Sequence, residues 1–412
     1  MTAKLAPQAR QAAVIFIFVA VVLDVLGFGL IIPVLPKLIE GFEHGNTARA
    51  AEIYGLFGTV WALMQFVCAP LLGAISDRFG RRKVLLISCF GLGLDYIVMA
   101  VAPSVGWLLI GRIASGICAS SFNVANAYIA DVTPPEKRAQ AFGMIGAAFG
   151  VGFVIGPAIG GLLGTIDPRL PFWGAAVLSL INASYGLFVL PESLPVEKRD
   201  AFAWKKANPV GSLNLLRSHP ELMGLATVNF LFQVAHCVLP SAFVLYTGYR
   251  YQWGPGTVGL TLMVVGVLNI IVQALLVKKI VAALGERGTL CFGLLMGALG
   301  FCGTALAPTA TWAWAMMPFI AFMGLFQPGF QSVMTKRVSP QEQGKLQGAN
   351  ASIMGIAGLI GPGLFTQTLA HSINGVGSFH LPGATFFVAA ALLTLALMIA
   401  IYVVRAGRVQ PA

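Results

Sequence analysis

Charged residues are scarce in this chain of 412 residues: Asp, Glu, Lys and Arg make up 10% of it, whereas soluble domains average about 25%. Apolar residues make up 57% before the 48 glycines are counted, and the mean hydropathy is +0.83. A soluble chain of this length needs far more polar surface. The composition therefore excludes a soluble enzyme, a nucleic-acid-binding protein and a disordered scaffold, and it leaves a polytopic membrane protein.

Metal-binding and catalytic motifs are also missing from the sequence. The six cysteines are scattered along apolar segments without a C-x-x-C pair, and the five histidines form no cluster, so we expect neither disulfides nor a metal site. No G-x-S-x-G and no Walker A motif occurs, so neither hydrolysis by a serine nucleophile nor ATP-driven pumping is supported. We therefore expect no enzymatic activity and no cofactor.

Long apolar runs dominate the chain instead. A transmembrane helix needs about 20 mostly apolar residues, and the runs lack the alternation of membrane strands. Twelve such runs lie at residues 11–35, 51–75, 84–102, 106–131, 138–164, 171–190, 221–248, 256–281, 289–306, 311–335, 345–371 and 382–404. We predict an all-α integral membrane protein with twelve transmembrane helices: an N-terminal six-helix bundle over 1–190, a central loop over 191–219 and a C-terminal six-helix bundle over 220–412.

Lysine and arginine are distributed unevenly around these runs. If the N-terminus lies in the cytoplasm, the inner segments carry 21 basic residues and the outer loops carry four. Cytoplasmic loops collect basic residues, so we expect both termini in the cytoplasm and no nucleic-acid partner behind the net charge of +11. The first run exceeds the 7–15 residues of a signal-peptide core and is expected to be a retained span.

The two halves of the chain resemble each other at an offset of 205 residues. Two similar halves in the same orientation are typical of transporters that rock around a site near the membrane midplane. The matches are Gly80 and Arg82 with Gly285 and Arg287, and Gly143, Gly150, Ile155, Gly156 and Pro157 with Gly348, Gly355, Ile360, Gly361 and Pro362.

The turn between the second and third runs carries a dense charge cluster. Residues 73–83 read GAISDRFGRRK, and the pattern resembles the G-x-x-x-D-R-x-G-R-R/K signature of the major facilitator superfamily. Its members are Gly73, Asp77, Arg78, Gly80, Arg81 and Arg82. We interpret the cluster as a latch that favours one conformation by binding a neighbouring helix end. The alternative is a positive-inside anchor without a switching role. In the second half, Ala282 stands at the position of Asp77.

The fifth run carries glycine at every fourth residue. This spacing places the glycines on one helix face, where the absence of side chains allows close backbone approach. The members are Gly152, Gly156, Pro157, Gly160, Gly161 and Gly164. The run resembles the motif that marks antiporters within the same superfamily. Ordinary tight helix packing explains it equally well, and the two interpretations are compatible.

Away from the span ends, the predicted spans contain three Asp, Glu, Lys or Arg residues: Asp24, Asp95 and Arg112. A charge within the membrane costs at least about 2.5 kcal/mol, so such residues are candidates for function. Spans three and four are antiparallel neighbours, and an ion pair between Asp95 and Arg112 is therefore expected, either for coupling or as a structural lock. Asp24 has no opposite charge in its own helix and is the candidate proton carrier. The alternative for Asp24 is a polar residue in a water-filled cavity.

The spans of the C-terminal half contain no acid except Glu221, which lies at the membrane interface, and most of their polar residues are amides. An apolar cavity with a few amides suits an amphipathic organic substrate. The other polar groups there are His236, Asn229, Gln233, Asn269, Gln273, Gln327, Gln331 and Asn350. As substrate-binding residues we predict Gln65, Asn123, Gln233, His236, Asn269 and Gln327. A lone histidine such as His236 is more often a hydrogen-bonded helix partner.

Several stretches over most of the chain resemble the tetracycline/proton antiporters of the major facilitator superfamily. They are LDVLGFGLIIPVLP from Leu23, ALMQFVCAP from Ala62, DYIVMA from Asp95, GRIASG from Gly111, AYIAD from Ala127 and LPES from Leu190. The resemblance implies twelve helices, drug export in exchange for protons, and roles for Asp24, Gln65, Asp77, Asp95 and Arg112. Those exporters carry a His in the eighth helix and an Asp in the ninth, where this chain has Asn269 and Gly297.

The function predicted from these observations is export of a small amphipathic or drug-like compound in exchange for protons across the inner membrane. The expected partners are the substrate, protons and the lipid bilayer, and we expect a monomer. One alternative is proton-driven uptake or facilitated transport of a metabolite. Another is a receptor without transport activity that is built on a transporter fold.

Overall fold

The computed structural model describes residues 7–119, 122–134, 137–199, 213, 215, 220–339, 342–374 and 381–406. Within these residues there is no strand, and the helices confirm the predicted all-α fold. They are α1 Pro7–Ile31, α2 Leu35–Phe42, α3 Thr47–Phe79, α4 Arg81–Val101, α5 Val105–Ala119, α6 Phe122–Val132, α7 Arg138–Ile166, α8 Leu170–Val189, α9 Pro220–His236, α10 Val238–Tyr251, α11 Pro255–Ile271, α12 Val277–Leu306, α13 Ala310–Ala315, α14 Met317–Met323, α15 Phe326–Thr335, α16 Gln343–Asn374 and α17 Ala384–Ala406, with a 3-10 helix Val196–Lys198 and a π-helix Val272–Leu276.

Eleven helical segments of the described chain are long and apolar enough to cross a membrane. One of them, Pro255–Leu306, has 52 residues. At 1.5 Å per residue it would extend about 78 Å, more than twice the hydrocarbon thickness of about 30 Å. Gly285 interrupts it with φ 70° and ψ 171°, which are not helical values. The segment therefore contains two of the predicted spans, 256–281 and 289–306, and the described helices agree with twelve crossings.

Contacts between residues divide the chain into two compact units. Unit 1 comprises Met1–Leu38, Val60–Pro209 and Gly254–Met263, and unit 2 comprises Ile39–Thr59, Val210–Trp253 and Val264–Ala412. The main division falls inside the predicted central loop, of which residues 200–212, 214 and 216–219 lie outside the described residues. The bundle limits at residues 190 and 220 stay a prediction.

In unit 1, α1 packs against α7 and α8, and α4 packs against α5 and α8. The contact between α1 and α7 is made by backbone on both sides. A Cβ atom added to Gly156 would lie 2.8 Å from the Cα of Gly29 and 3.0 Å from the carbonyl oxygen of Leu26. Gly152 also faces α1, whereas a Cβ atom at Gly161 would meet α11, 3.0 Å from the Cα of Gly259. The predicted glycine run therefore serves two helix contacts.

In unit 2, α12 packs against α15 and α17, and α9 packs against α16 and α17. Two features of this unit repeat those of unit 1 at the sequence offset of 205. Pro362 lies inside α16 as Pro157 lies inside α7. Gly285 has a positive φ of 70°, as Gly80 has one of 103°. The sequence repeat thus corresponds to a repeat in backbone conformation.

The close contact of α1 and α7 yields a test. Gly156→Ala is expected to destabilise the protein by about 1–3 kcal/mol because two backbones must move apart. Gly146 lies on the same helix, and a Cβ atom there meets nothing within 4 Å. Gly146→Ala is therefore expected to be neutral or to stabilise by up to about 1 kcal/mol through helix propensity. Thermal unfolding in detergent measures both, and equal shifts would contradict the packing argument.

Candidate functional site

Arg81 is the centre of the charge cluster between α3 and α4. Its Nη1 atom lies 2.6 Å from the carboxylate of Asp77, which is one helix turn earlier. Its Nε atom lies 3.3 Å from the carboxylate of Asp131 at the end of α6. Arg81 is mostly buried, with 11% of its side chain exposed, so these pairs are screened less than surface pairs. One guanidinium thus joins the ends of three helices.

Glu192, which follows α8, supports the same turn. Its Oε1 atom accepts a hydrogen bond of 2.8 Å from the backbone N–H of Arg81, the first residue of α4. A carboxylate at this position also interacts favourably with the N-terminal end of the helix dipole. Gly80 provides the left-handed backbone, and a Cβ atom there would lie 2.8 Å from the carboxyl carbon of Glu192. The sequence interpretation had assigned neither Asp131 nor Glu192 to this cluster.

The remaining members of the predicted turn motif are peripheral to this cluster. Arg82 donates a hydrogen bond of 2.6 Å to the carbonyl of Leu187, and the guanidinium of Arg78 lies 5.0 Å from the ring centroid of Phe79. A Cβ atom at Gly73 would meet nothing within 4 Å. The structure therefore concentrates the chemistry of the motif on Arg81.

Unit 2 contains a related ion pair with its charges exchanged. Lys336, just after α15, lies 2.7 Å from the carboxylate of Glu286. Both residues are 205 positions after the members of the Arg81–Asp131 pair. Lys336 is 68% exposed, so its pair contributes about 0–1 kcal/mol. The repeat therefore keeps an ion pair at the same two positions, but the acidic and the basic residue have exchanged places.

Asp24 on α1 is half-buried and is held by an amide from α8. The Nδ2 atom of Asn182 donates to the Oδ1 atom of Asp24 at 2.9 Å and to the carbonyl of Ala20 at 3.1 Å. The same nitrogen lies 3.7 Å from the Sγ atom of Cys89 on α4. Among the described residues, no cation forms a salt bridge with Asp24. Its principal partner is therefore a neutral amide.

Two buried polar atoms of α8 lack hydrogen-bond partners within the described part of the chain: Oδ1 of Asn182, which contacts Asp24, and Oγ of Ser179, three residues earlier. Both residues are 1% exposed. Orphaned buried polar atoms are rare in proteins, and they commonly bind ordered water. The sequence analysis did not select Asn182 or Ser179, although two polar residues three apart in an apolar span placed them on one helix face.

Asp95 and Arg112 lie on the neighbouring helices α4 and α5, as predicted, and both are buried. The guanidinium of Arg112 interacts electrostatically with Asp95, yet neither carboxylate oxygen of Asp95 accepts a hydrogen bond from a described residue. Arg112 instead places its guanidinium carbon 5.4 Å from the ring centroid of Trp61, which stacks on Phe28 at 5.6 Å. Asp95 and Arg112 therefore lie close enough to interact electrostatically, but Asp95 accepts no hydrogen bond from Arg112.

A cavity of about 260 Å³ lies within unit 2. Four of the predicted substrate-binding residues line it: Gln233, His236, Asn269 and Gln327. The other lining residues are Phe232, Leu239, Val265, Gln273, Ile320, Met323 and Gly324. The cavity is apolar with five polar side chains and no carboxylate, and its volume is just below the usual range of about 300–1,000 Å³ for ligand pockets.

The rings of Phe232 and His236 both line this cavity. Phe232 stacks on Phe326 with the ring centroids 3.9 Å apart, and the ring of His236 lies 6.0 Å from that of Phe232. The other two predicted substrate-binding residues, Gln65 and Asn123, belong to unit 1 and do not line this cavity. No group of three or more His, Cys, Asp or Glu side chains suited to a metal ion occurs among the described residues.

Helices long enough to cross a membrane, acids embedded within them and an apolar cavity with amide side chains inside one unit are together typical of an α-helical membrane transporter. Residues 17–362 match the Major Facilitator Superfamily, and the chain belongs to this superfamily.

Several characterised relatives share most of the chain. The class C tetracycline resistance protein of Escherichia coli is 39% identical over 88% of this chain and 91% of its own length. The class H tetracycline resistance protein of Pasteurella multocida is 35% identical over 88% and 90%. The crystal structure of the human organic anion transporter MFSD10 (TETRAN) has a TM-score of 0.70 at 24% identity, covering 96% of this chain and all of that one. This last likeness supports the fold.

The two repeated turns offer a matched comparison. Gly80→Ala is expected to destabilise more than Gly285→Ala. Both changes strain a glycine backbone by about 1–3 kcal/mol, but only at Gly80 does the new Cβ atom displace Glu192 and its hydrogen bond, worth about 0.5–1.5 kcal/mol more. A Cβ atom at Gly285 meets nothing within 4 Å. Thermal unfolding of both variants is the measurement, and equal losses would argue against a role of Glu192 in this turn.

Proposed function

We propose that this protein is a proton-coupled antiporter that exports a small amphipathic, tetracycline-like compound across the inner membrane. Two relatives that match this chain over about nine tenths of their own length are named tetracycline resistance proteins. The observation that carries the coupling part of the proposal is the contact between Asp24 and Asn182 inside the spans. A carboxylate with a neutral partner can change its protonation state without breaking an ion pair.

Asn182 is suited to both protonation states of Asp24. Its N–H group donates to the carboxylate, and its carbonyl can accept from the protonated acid once the amide rotates. The unpartnered oxygen of Asn182 leaves an acceptor for water beside the acid. In this proposal, protonation of Asp24 from outside and its release inside accompany the return step of the transport cycle.

Asp95 and Arg112 supply a second embedded charge centre. Arg112 lies against the face of Trp61, and a cation over an aromatic ring is attracted by about 0.5–2 kcal/mol. Because Asp95 accepts no hydrogen bond from the described residues, its interaction with Arg112 can respond to small helix movements. We assign this pair to coupling between protonation and helix movement.

The cavity of unit 2 is the part of the substrate site that this proposal uses. Amides of Gln233, Asn269 and Gln327 offer donors and acceptors, and Phe232 offers an aromatic face. Such a lining matches a fused-ring compound with polar edges, which is bound by a few hydrogen bonds and a large apolar contact. The absence of carboxylates from the lining disfavours an obligatorily cationic substrate.

The Arg81 cluster is the proposed conformational latch. Arg81 holds Asp77 and Asp131, which lie at the ends of α3 and α6, and its backbone is tied to Glu192. Movement of α6 relative to α3 would break a partly buried ion pair.

We further propose that both termini lie in the cytoplasm, because the basic residues divide 21 to 4 between the two sides. We also propose that the protein works as a monomer in the lipid bilayer.

The test is transport in proteoliposomes with an imposed pH gradient and tetracycline as the probe. Asp24→Asn removes the titratable group but keeps the shape and a hydrogen-bonding partner for Asn182. We expect gradient-driven tetracycline accumulation to fall at least about tenfold, while exchange of tetracycline without a gradient is retained. Asn182→Leu is expected to weaken gradient-driven transport less, since the carboxyl group remains.

Asp167→Asn is the matched control, because it makes the same chemical change at the end of α7, outside the spans. It is expected to transport at the wild-type rate. Full gradient-driven accumulation by Asp24→Asn would refute the proton-carrier role. Failure of the wild-type protein to move tetracycline, with other amphipathic drugs moved, would refute only the substrate.

A further inference from the structure

The tenth predicted span, 311–335, is broken into three short helices, α13, α14 and α15. Gly324 and Leu325 separate α14 from α15, and Pro328 follows Gly324 by four residues. In a regular helix the N–H of the residue at position 328 would donate to the carbonyl of Gly324. Proline has no N–H, so this carbonyl is left without its helical donor. Inside a membrane such a group needs another partner.

The missing donor is supplied by a side chain from a different segment. The Nε2 atom of Gln273 donates to the carbonyl of Gly324 at 2.9 Å, although the two residues are 51 positions apart. Gln273 lies in the π-helix Val272–Leu276, another departure from regular helix. Single π-turns in helices are frequently associated with functional sites. Two irregular segments are therefore joined by one amide.

Gly324 brings its backbone close to two side chains of the other segment. A Cβ atom there would lie 3.1 Å from the Nε2 atom of Gln273 and 3.2 Å from the Oδ1 atom of Asn269. Asn269, Gln273, Gly324 and Gln327 all line the cavity of unit 2. The hydrogen bond consequently fixes the spacing between the segment that carries Asn269 and the segment that carries Gln327.

We propose that Gln273 is a positioning residue of the cavity: its amide replaces the N–H group that Pro328 lacks and so holds the two amide-bearing walls in place. This inference rests on the proposed function only in taking the cavity as the substrate site. The competing assignment makes Gln273 a direct ligand of the substrate, since Gln273 is exposed and lines the cavity.

A double-mutant cycle separates the two assignments. Pro328→Ala restores an N–H donor four residues after Gly324. Gln273→Leu is expected to lower the unfolding temperature of the substrate-free protein and to raise the half-saturating tetracycline concentration by about 2- to 10-fold, which corresponds to one hydrogen bond of about 0.5–1.5 kcal/mol. In the Pro328→Ala background, the same substitution is expected to lower the unfolding temperature by less than half as much.

Gln233→Leu is the matched control, because it removes an equivalent amide from another wall of the same cavity, on α9. Its effect is expected to be equal in both backgrounds. An equal loss of unfolding temperature for Gln273→Leu with and without Pro328 would overturn the proposal. So would an unchanged unfolding temperature with weaker tetracycline binding, because that pattern belongs to a direct ligand.

A second variant decides the question if Pro328→Ala fails to accumulate in the membrane. Gln273→His keeps an N–H donor at a similar reach without introducing a fixed charge, and it is expected to retain most of the wild-type unfolding temperature while Gln273→Leu does not. Equal losses in the two variants would contradict the proposal. These thermal measurements need no substrate, so their outcome is separate from whether the protein exports a drug.

Discussion

The hydrocarbon core of a membrane offers no water to an unpaired backbone group, so a chain that crosses it must satisfy every N–H and C=O internally. Long helices do this over most of the described chain, and each interruption of a helix needs a separate solution. At Gly324 the solution is the side chain of Gln273. At the turn before α4, which lies outside the predicted spans, the carboxylate of Glu192 accepts a hydrogen bond from the first N–H of that helix. The side chains that complete the backbone hydrogen bonds are also the ones that connect distant segments.

The two embedded acids, Asp24 and Asp95, meet the same constraint with different partners. Asp24 has a direct hydrogen bond to an amide, whereas Asp95 has an arginine nearby without a hydrogen bond. A carboxylate in hydrocarbon costs at least about 2.5 kcal/mol, and a neutral amide repays less of this than an ion pair does. The two acids thus differ in the kind of partner they have, and the proton-carrier role proposed for Asp24 rests on its hydrogen-bond partner being neutral.

Much of this arrangement could be predicted from the sequence, because membrane spans and repeats follow from composition and spacing. The helical class, the spans and four of the residues that line one cavity were identified in this way. The side chains that Asp24 and Gly324 contact could not be predicted. Asn182 meets Asp24 across 158 positions and Gln273 meets Gly324 across 51, and such distances carry no periodic signal. The Asp95–Arg112 pair was placed on the correct helices, but its missing hydrogen bond depends on side-chain geometry alone.

The internal repeat preserves backbone conformation better than it preserves the identity of the charged side chains. Both turns contain a glycine with positive φ, and both carry an ion pair at equivalent positions with opposite polarity. Within the described part of the chain, Arg81 pairs with two carboxylates and its side chain is mostly buried, whereas Lys336 is mostly exposed and screened by solvent. Breaking the contacts of Arg81 therefore changes the free energy more than breaking the pair of Glu286. If one of the two turns controls the conformation of the protein, the energetics assign that role to the turn that contains Arg81.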